Sequence, residues 1–306
     1  MKTPVVSVCM ITYNHEKYIA EAIEGVLMQE VDFEVELIIA DDCSTDRTGE
    51  IVHDYIEHHP RGNWIKYTRH QSNLGMMPNF IWALKACQGK YIALCEGDDY
   101  WSFDNKLAKQ ISFLNQNSSY SFSFHDCNVI KNGKLSSGDK YWPQPRVSNL
   151  NSKDILSSQF VPTCSVVFKT LCLPKKLPDE FIVANNGDRF LFFLLSLCGP
   201  AHYFKGAYFG NYRIHSEGFW SKLTRLEKHL FTLNSFLLIN RIDKPKFLYK
   251  YIWKKISHLS YELGKDYSVV DKSVSRYFFW MSIVYSINSF QFKVFLYASL
   301  KMLKSL

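Results

Sequence analysis

Three carboxylates stand within four positions in the stretch YIALCEGDDYW, residues 91–101. Glu96, Asp98 and Asp99 repel one another and cost stability unless a cation lies among them. Carboxylate oxygens at a strand end are hard ligands that suit Mg²⁺ or Mn²⁺ bound together with a phosphorylated substrate, and Gly97 permits the tight turn that aims adjacent acids at one centre. The stretch therefore predicts a divalent metal site that is shared with a phosphorylated substrate, with a solvated acidic turn as the alternative that it leaves open by itself.

A second acidic pair, Asp41 and Asp42 in IIADDCSTDRT, follows an apolar run and precedes the start of a helix. One acid can cap that helix. A second acid is not needed for capping and can accept hydrogen bonds from a nucleotide base or from ribose hydroxyls. Tyr13 and Asn14 in TYNHEKYI add an aromatic ring and an amide that suit a planar base, and Asn73 in NLGMMPNF is expected to approach the same ligand.

The first 130 residues alternate between strand and helix periodicity, and these elements would position the polar clusters. The strand-like runs lie at residues 5–12, 35–40, 64–68 and 91–95, and the helical runs at residues 16–29, 44–58 and 78–87. This alternation is typical of an α/β fold with a mostly parallel sheet flanked by helices. Because ligands bind at the carboxyl ends of the strands in such sheets, the polar clusters are expected at one edge.

The segments VSVCMITYNHEKYIAEAIEGVLMQ, ELIIADDCSTDRT, NLGMMPNF and YIALCEGDDYW, in this order, resemble glycosyltransferase family 2. Its members are inverting enzymes of the Rossmann-like GT-A fold that use nucleotide-diphospho-sugars. The resemblance implies that Thr12, Tyr13 and Asp42 contact the nucleoside, and that Asp98 and Asp99 occupy the metal and diphosphate-sugar position of the D-x-D motif.

Glu96 departs from this motif, because it stands where the family carries the first aspartate. Its longer side chain can still reach the ribose or a water molecule on the metal. We therefore keep Glu96 among the expected donor-binding residues.

The segment ANNGDRFLF offers a candidate catalytic carboxylate, Asp188, at the start of an apolar helix. An acceptor hydroxyl needs a general base to take its proton, and inversion needs one such base opposite the leaving group. The resemblance places the family's catalytic carboxylate here, whereas a helix N-cap is the structural alternative. Asp179 and Glu180 are weaker candidates, because a charged turn flanked by proline is more often surface.

Two cationic side chains follow in YRIHSEGFWSK. Arg213 and His215 are two apart on an extended segment, so they are expected to point the same way. Arginine suits phosphate oxygens, and histidine can ligate the metal or bind the diphosphate. His125 and Asp126, after another strand, are equally compatible with an acceptor site and with a structural pair.

Charge is distributed unevenly along the 306 residues, whose formal net charge is +7. Residues 201–306 contain 17 Lys and Arg against 6 Asp and Glu, which suggests an anionic partner. We expect a GT-A catalytic domain at residues 1–220 and a helical region at residues 221–306. The aromatic and basic residues 275–306 fit helices on a membrane surface, with packing on the catalytic domain as the alternative.

The cysteines and the N-terminal sequence bear on the compartment. Eight cysteines are scattered without a C-x-x-C pair, and the N-terminal sequence lacks the apolar region and cleavage site of a signal peptide. We therefore expect reduced thiols in the core and a cytoplasmic protein that lies peripherally on the inner membrane face.

The residues and the resemblance to family 2 together imply a metal-dependent hexosyl- or N-acetylhexosaminyl-transferase that uses a nucleotide-diphospho-sugar, UDP-linked in our interpretation. The expected acceptor is a hydroxyl of a glycan or lipid-linked oligosaccharide in cell-surface polysaccharide synthesis, and no nucleic acid partner is expected. A non-catalytic module that keeps the nucleotide pocket is the alternative. Neither G-x-G-x-x-G after the first strand nor a Walker motif is present, which disfavours dinucleotide and P-loop enzymes.

Overall fold

The computed structural model describes residues 4–136, 147–157 and 161–304. Its strands are β1 Val6–Thr12, β2 Val35–Asp41, β3 Ile65–Arg69, β4 Tyr91–Leu94, β5 Tyr100–Trp101, β6 Phe122–Lys131, β7 Lys134–Leu135, β8 Asn149–Leu150, β9 Val167–Lys169 and β10 Ala201–Ile214. Its helices are α1 Ile19–Leu27, α2 Thr48–His58, α3 Met76–Ala86, α4 Lys106–Gln116, α5 Ser152–Ser157, α6 Asp179–Ile182, α7 Gly187–Cys198, α8 Phe219–Lys222, α9 Arg225–Arg241, α10 Tyr249–Tyr267, α11 Lys272–Asn288 and α12 Phe292–Lys304.

One mixed sheet organises the first part of the chain, in the strand order β3-β2-β1-β4-β9-β6-β10-β5. The pairs β1/β2, β1/β4, β2/β3 and β6/β10 are parallel, whereas β9 is antiparallel to both of its neighbours. The predicted α/β fold with a mostly parallel sheet is confirmed. Since β1 lies between β2 and β4, the chain changes direction of winding at β1, which is where such sheets bind ligands.

The sheet is held by a continuous apolar core. Strand β2 is buried along its whole length, as expected for a parallel strand that is covered on both faces. Helix α1 places Ile19, Ala22, Ile23 and Val26 in this core, and its apolar spacing matches the predicted amphipathic helix. The predicted helices and strands of the first 95 residues therefore form within a few residues of their expected ends.

The chain divides into two compact units. The first takes the described residues within 1–151, 159–176 and 194–218, and the second takes those within 152–158, 177–193 and 219–306. The second unit includes the C-terminal helices, but it also includes a segment before residue 220, the expected boundary. Asn132 and Gly133 form the turn between β6 and β7.

The C-terminal helices pack through small side chains. A Cβ added to Gly264 in α10 would lie 2.7 Å from the ring of Phe279 in α11, so this glycine allows the close approach of the two helices. Ser275 Oγ donates to the carbonyl oxygen of Gly264 at 2.7 Å. Within the described residues, none of the helices is long and apolar enough to cross a membrane.

The structure corrects the expectation that all cysteines are reduced. Cys172 and Cys198, which both belong to the first unit, are paired in a disulfide. Cys9, Cys95 and Cys164 are free and buried, as expected for thiols that serve as core side chains. No spacing signal marks this pair in the sequence, because the two cysteines are 26 residues apart and meet only through the fold.

Candidate functional site

The acid turn, residues 96–99, lies directly after β4 and against the loop that follows β1. Gly97 N donates to Ile11 O at 3.0 Å and Asp99 N donates to Glu96 O at 3.1 Å, which sets the tight turn. A Cβ on Gly97 would lie 2.8 Å from Thr12 Oγ1 and 3.0 Å from His15 Nδ1. Only glycine fits so close to Thr12 and His15. This agrees with the tight turn that the sequence predicted at Gly97.

Asp98 faces two imidazole rings. Its Oδ2 lies 3.1 Å from His215 Nε2 and 3.9 Å from His15 Nε2. The Asp98 side chain is 23% exposed to solvent. Burial opposes the charged form, but the nearby His15 and the hydrogen bond with His215 hold the pKa of Asp98 below its ordinary value. Asp98 is therefore a carboxylate that is ionised and partly open to a ligand.

Asp99 is more deeply buried and is bound by the protein itself. Its Oδ1 accepts from Arg213 N at 2.8 Å. Burial, together with Cys164 and the charge of Asp98, raises the pKa of Asp99 well above its ordinary value. Through its hydrogen bond with Arg213 N, Asp99 fixes the acid turn to β10.

Arg213 clamps the acid turn from the end of β10. Its Nη1 donates to Asp98 O at 2.9 Å, its Nη2 forms an ion pair with Glu21 of α1, and its guanidinium carbon lies 4.1 Å from the ring centroid of Tyr100. The stacking and the ion pair hold the planar group in one orientation. The expectation that Arg213 and His215 point the same way is confirmed, since both reach the acid turn.

The loop after β10 is tied to the start of α1. Lys17 Nζ lies 2.7 Å from Glu217 Oε1, and the ring of Tyr18 lies 4.4 Å from that of His215. Three residues that the sequence analysis did not single out, His15, Tyr18 and Glu21, thus surround the acid turn. His15 follows Tyr13-Asn14 directly, so its place after the first strand was the available signal.

The acidic pair after β2 organises backbone amides. Asp42 is almost fully buried, and its carboxylate accepts from Leu74 N at 2.6 Å and from Gly75 N at 3.0 Å. Asp41 accepts from Ser44 N at 2.8 Å and from Tyr67 O–H at 2.7 Å. Neither acid caps α2, so the capping alternative for this pair is wrong.

The predicted nucleoside residues lie around the same edge. Asn14 has a positive φ of 54°, and its Oδ1 accepts from Thr45 N at 2.8 Å. Tyr13 is exposed, whereas Thr12 Oγ1 is buried and has no hydrogen-bond partner among the residues that the structure describes. Asn73 Oδ1 accepts from Gly75 N at 3.0 Å, beside the amides that Asp42 binds.

Asp188 lies in the second unit. It is the second residue of α7, inside the first turn, and its Oδ1 accepts from Arg189 N at 2.7 Å. A carboxylate in the first turn is stabilised by the helix dipole.

His125 and Asp126 are buried inside the fold. Asp126 accepts from Tyr203 O–H at 2.6 Å and from Gly206 N at 2.8 Å. His125 is fully buried, and burial with the nearby Lys106 holds its pKa well below the ordinary value. This burial favours the structural interpretation of the two residues over a place in an acceptor site.

The acid turn suits a metal that shares its ligands with a substrate. Within the described parts of the chain, no three His, Cys, Asp or Glu side chains are arranged as a complete metal site. Asp98 Oδ2 and His215 Nε2 nevertheless lie 3.1 Å apart, close enough to bind one ion together. Mg²⁺ is commonly held by one or two protein ligands together with substrate phosphates and water, so the donor set fits this kind of site.

Comparison with solved structures identifies the fold. A crystal structure of residues 1–349 of TarS from S. aureus in complex with UDP-GlcNAc superimposes with a TM-score of 0.71 and 18% identity, covering 98% of this chain and 88% of that chain. The mannosyltransferase PcManGT of Pyrobaculum calidifontis, in complex with GDP-Man and Mn²⁺, gives a TM-score of 0.61 at 15% identity, covering 99% and 88%. The predicted GT-A fold is confirmed.

Curated relatives match at higher identity over shorter stretches. The uncharacterized protein Rv1520 of Mycobacterium tuberculosis is 38% identical over 164 residues, which are 53% of this chain and 46% of that protein. Chondroitin synthase of Escherichia coli is 27% identical over 274 residues, 84% of this chain and 37% of that enzyme. The chain therefore spans about half or less of the length of these relatives.

Residues 7–173 match the family described as Glycosyl transferase family 2. This stretch begins in β1 and ends after β9, so it contains the acid turn, the pair after β2 and the strands that bring them to one edge. Since the match covers more than half of the 306 residues, the chain belongs to glycosyl transferase family 2.

Proposed function

We propose that the chain is an inverting glycosyltransferase that moves a sugar from a UDP-sugar to a hydroxyl of a glycan or lipid-linked oligosaccharide in cell-surface polysaccharide synthesis. The observation that carries this proposal is the partly open Asp98 carboxylate, 3.1 Å from His215 at the ligand-binding edge of the sheet. Residues 1–220 are proposed as the catalytic domain and residues 221–306 as a helical region.

The donor class is supported by the solved structures. TarS is described with UDP-GlcNAc and with UDP, whereas PcManGT is described with GDP-Man. A UDP-linked hexose or N-acetylhexosamine is proposed here, with Thr12, Tyr13 and Asn14 beside the base and the amides held by Asp42 and Asn73 beside the nucleoside. Thr12 ends β1, Asp42 follows β2 and Asn73 follows β3, which supports this arrangement.

A divalent ion, Mn²⁺ or Mg²⁺, is proposed at the acid turn. PcManGT is described with Mn²⁺, and the Asp98 and His215 side chains are the proposed protein ligands because they face one another. Asp99 accepts from Arg213 N through Oδ1 and stays a candidate ligand through its second oxygen, with Glu96 beside it. When bound, such an ion neutralises charge that develops on a departing diphosphate.

The residues of the chain supply the remaining parts of the transfer. The Arg213 clamp holds the acid turn rigid, so no reorganisation is needed as charge develops on the leaving group. Asp188 is proposed to take the proton of the acceptor hydroxyl as the new glycosidic bond forms at the sugar's anomeric carbon. A single base on the face opposite the leaving group inverts the configuration.

The test of this assignment separates binding from chemistry. Asp188→Asn is expected to lower the rate of transfer, or of donor hydrolysis, by at least about 100-fold, the usual size of a general-base contribution. Its affinity for UDP, measured by calorimetry, should stay within about twofold, since Asp188 is not proposed to touch the nucleotide. Asp179→Asn, a nearby acid that is exposed in the structure, serves as the control that keeps full activity.

Two results would contradict the proposal. If Asp188→Asn keeps its activity, another group is the base. If the wild-type chain binds UDP but neither transfers nor hydrolyses any donor with Mn²⁺ present, the alternative of a non-catalytic nucleotide-sugar-binding module is favoured.

A cytoplasmic location at the inner membrane face is proposed together with the acceptor. Lipid-linked acceptors are assembled at a membrane surface, and the excess of 17 basic over 6 acidic residues in positions 201–306 would attract anionic lipid. Fractionation of cells, with the chain found in the soluble fraction at low ionic strength, would count against this location.

A further inference from the structure

The C-terminal helices expose an unusual number of large apolar side chains. We define the C-terminal apolar face as the eight that are exposed between residues 277 and 303, namely Tyr277, Trp280, Ile287, Phe290, Leu296, Tyr297, Leu300 and Leu303. Single exposed apolar residues are normal on a protein surface, but a concentration in one segment marks an interaction site.

Helix α11 is apolar on two opposite sides. Its buried residues include Phe278, Phe279 and Met281, and Phe279 packs against Gly264 of α10. Tyr277, Trp280 and Ile287 recur three and seven residues apart, which puts them on one face of the helix, turned away from the buried side. This second face is not needed to pack α11 on α10.

Helix α12 repeats the pattern with lysines at its margins. Leu296, Leu300 and Leu303 are exposed at spacings of four and three residues, whereas Ala298 is buried on the other side. Lys293, one turn before Leu296, is also exposed. An apolar stripe bordered by lysines is typical of helices that lie in the plane of a membrane interface.

The turn between α11 and α12 also exposes a large apolar side chain. Phe290 stands in this turn with a positive φ of 57° and is 93% exposed. Phenylalanine has no polar group to favour such a position, and a left-handed backbone conformation is uncommon for a bulky residue. The turn therefore holds an aromatic ring out from the protein surface.

The charge of the C-terminal helices indicates which partner would bind the C-terminal apolar face. Residues 272–306 contain five basic residues, Lys272, Arg276, Lys293, Lys301 and Lys304, and not a single Asp or Glu. A second copy of the same face would bring like charges together, which is unfavourable. An anionic bilayer supplies both an apolar layer for the rings and leucines and negative headgroups for the lysines, and Tyr and Trp favour that boundary.

We propose that the C-terminal apolar face docks on an anionic lipid bilayer, with α11 and α12 lying in the interface. This proposal names the lipid that would hold the chain at the membrane location put forward above. The biological purpose of the lipid binding rests on the proposed function. The evidence for the lipid-binding surface is the exposure and charge of its residues, so lipid binding and sugar transfer can be tested separately.

The experiment is co-sedimentation of the full chain with vesicles of phosphatidylcholine alone or mixed with phosphatidylglycerol. The chain is expected to bind the mixed vesicles at least about tenfold more tightly than the neutral ones, because several basic residues act together. Raising the salt concentration should weaken this binding, since screening shortens the range of the attraction.

Variants identify the residues that make the contact. Trp280→Ser with Leu300→Ser should reduce the partition onto mixed vesicles by about tenfold or more, because apolar burial is lost. Leu171→Ser is the matched control, since Leu171 is 74% exposed in the first unit. Lys293→Glu with Lys301→Glu should abolish the preference for anionic vesicles, with Lys85→Glu as its control.

Folding and nucleotide binding are measured on the same samples. All replaced residues are exposed, so the melting temperature and the affinity for UDP should be unchanged. Equal binding to both vesicle types, or binding that the variants leave intact, would overturn the proposal. So would a dimer in light scattering that Leu300→Ser dissociates, because the face would then be an interface between copies. A chain that binds lipid but transfers no sugar would refute the proposed function alone.

Discussion

Lys106 offers a prediction whose size follows from the structure. The side chain is fully buried, its Nζ has no hydrogen-bond partner among the described residues, and it lies 4.0 Å from the ring centroid of Trp101. Burial lowers the pKa of Lys106 from 10.5 to about 7. The fold therefore disfavours the charged form of this lysine.

The pH dependence has a definite sign. Below about pH 7 the lysine is protonated in both the folded and the unfolded state, and the folded state bears the full cost of the buried charge. Between about pH 7 and pH 10.5 the unfolded chain binds the additional proton, so the free energy of unfolding rises with pH. The displaced pKa corresponds to a cost of about 5 kcal/mol at low pH, on the scale of ~1.4 kcal/mol per pKa unit.

Lys106→Met keeps the length of the side chain and removes the charge. The contact with Trp101 offsets part of the cost, up to about 2 kcal/mol for a desolvated cation over a ring. We expect the variant to gain about 3 kcal/mol in unfolding free energy at pH 6, an effect in the range seen when buried charges are replaced by apolar groups. The gain should shrink steadily towards pH 10.

Urea denaturation of both proteins between pH 6 and pH 10 measures this difference. Lys109→Met, on the same helix but exposed, is the control and should change the unfolding free energy by less than about 0.5 kcal/mol at any pH. A loss of stability in Lys106→Met, or a gain that does not vary with pH, would refute the reasoning.

Two further predictions concern packing. Gly97→Ala would place a Cβ 2.8 Å from Thr12 Oγ1, so the acid turn must shift. Calorimetry should show at least about tenfold weaker UDP binding in Mn²⁺, which is the usual loss when residues that orient metal ligands are changed. Unchanged affinity would contradict the role of the turn. Tyr203→Phe removes the donor that Asp126 accepts at 2.6 Å, and urea denaturation should show a loss of about 1–3 kcal/mol; a neutral result would mean that the carboxylate is satisfied by Gly206 alone.

The sheet was predictable because its signals are local. The apolar run of β1 and the helical spacing of α1 lie within single segments of the sequence, and each forms close to its expected position. The common direction of Arg213 and His215 was also accessible, since two side chains that are two apart on an extended segment share a face.

Other features depend on contacts that no local pattern records. Asp42 binds the amides of Leu74 and Gly75, more than thirty residues away, so its capping alternative could not be dismissed in advance. Lys106 begins α4, where a lysine is ordinarily solvated, and is buried only because Trp101 and the sheet cover it. The ion pair of Glu21 with Arg213 likewise joins the first helix to the last strand.

The proposed function depends on the acid turn holding a divalent ion against the diphosphate of the donor. Calorimetric titration of UDP into the wild-type chain and into Asp98→Asn, with Mn²⁺ and after its removal by a chelator, measures whether it does. We expect UDP to bind the wild type only with Mn²⁺, and Asp98→Asn to weaken this binding by at least about tenfold. Equal UDP affinity in all four titrations, or none in any, would contradict it.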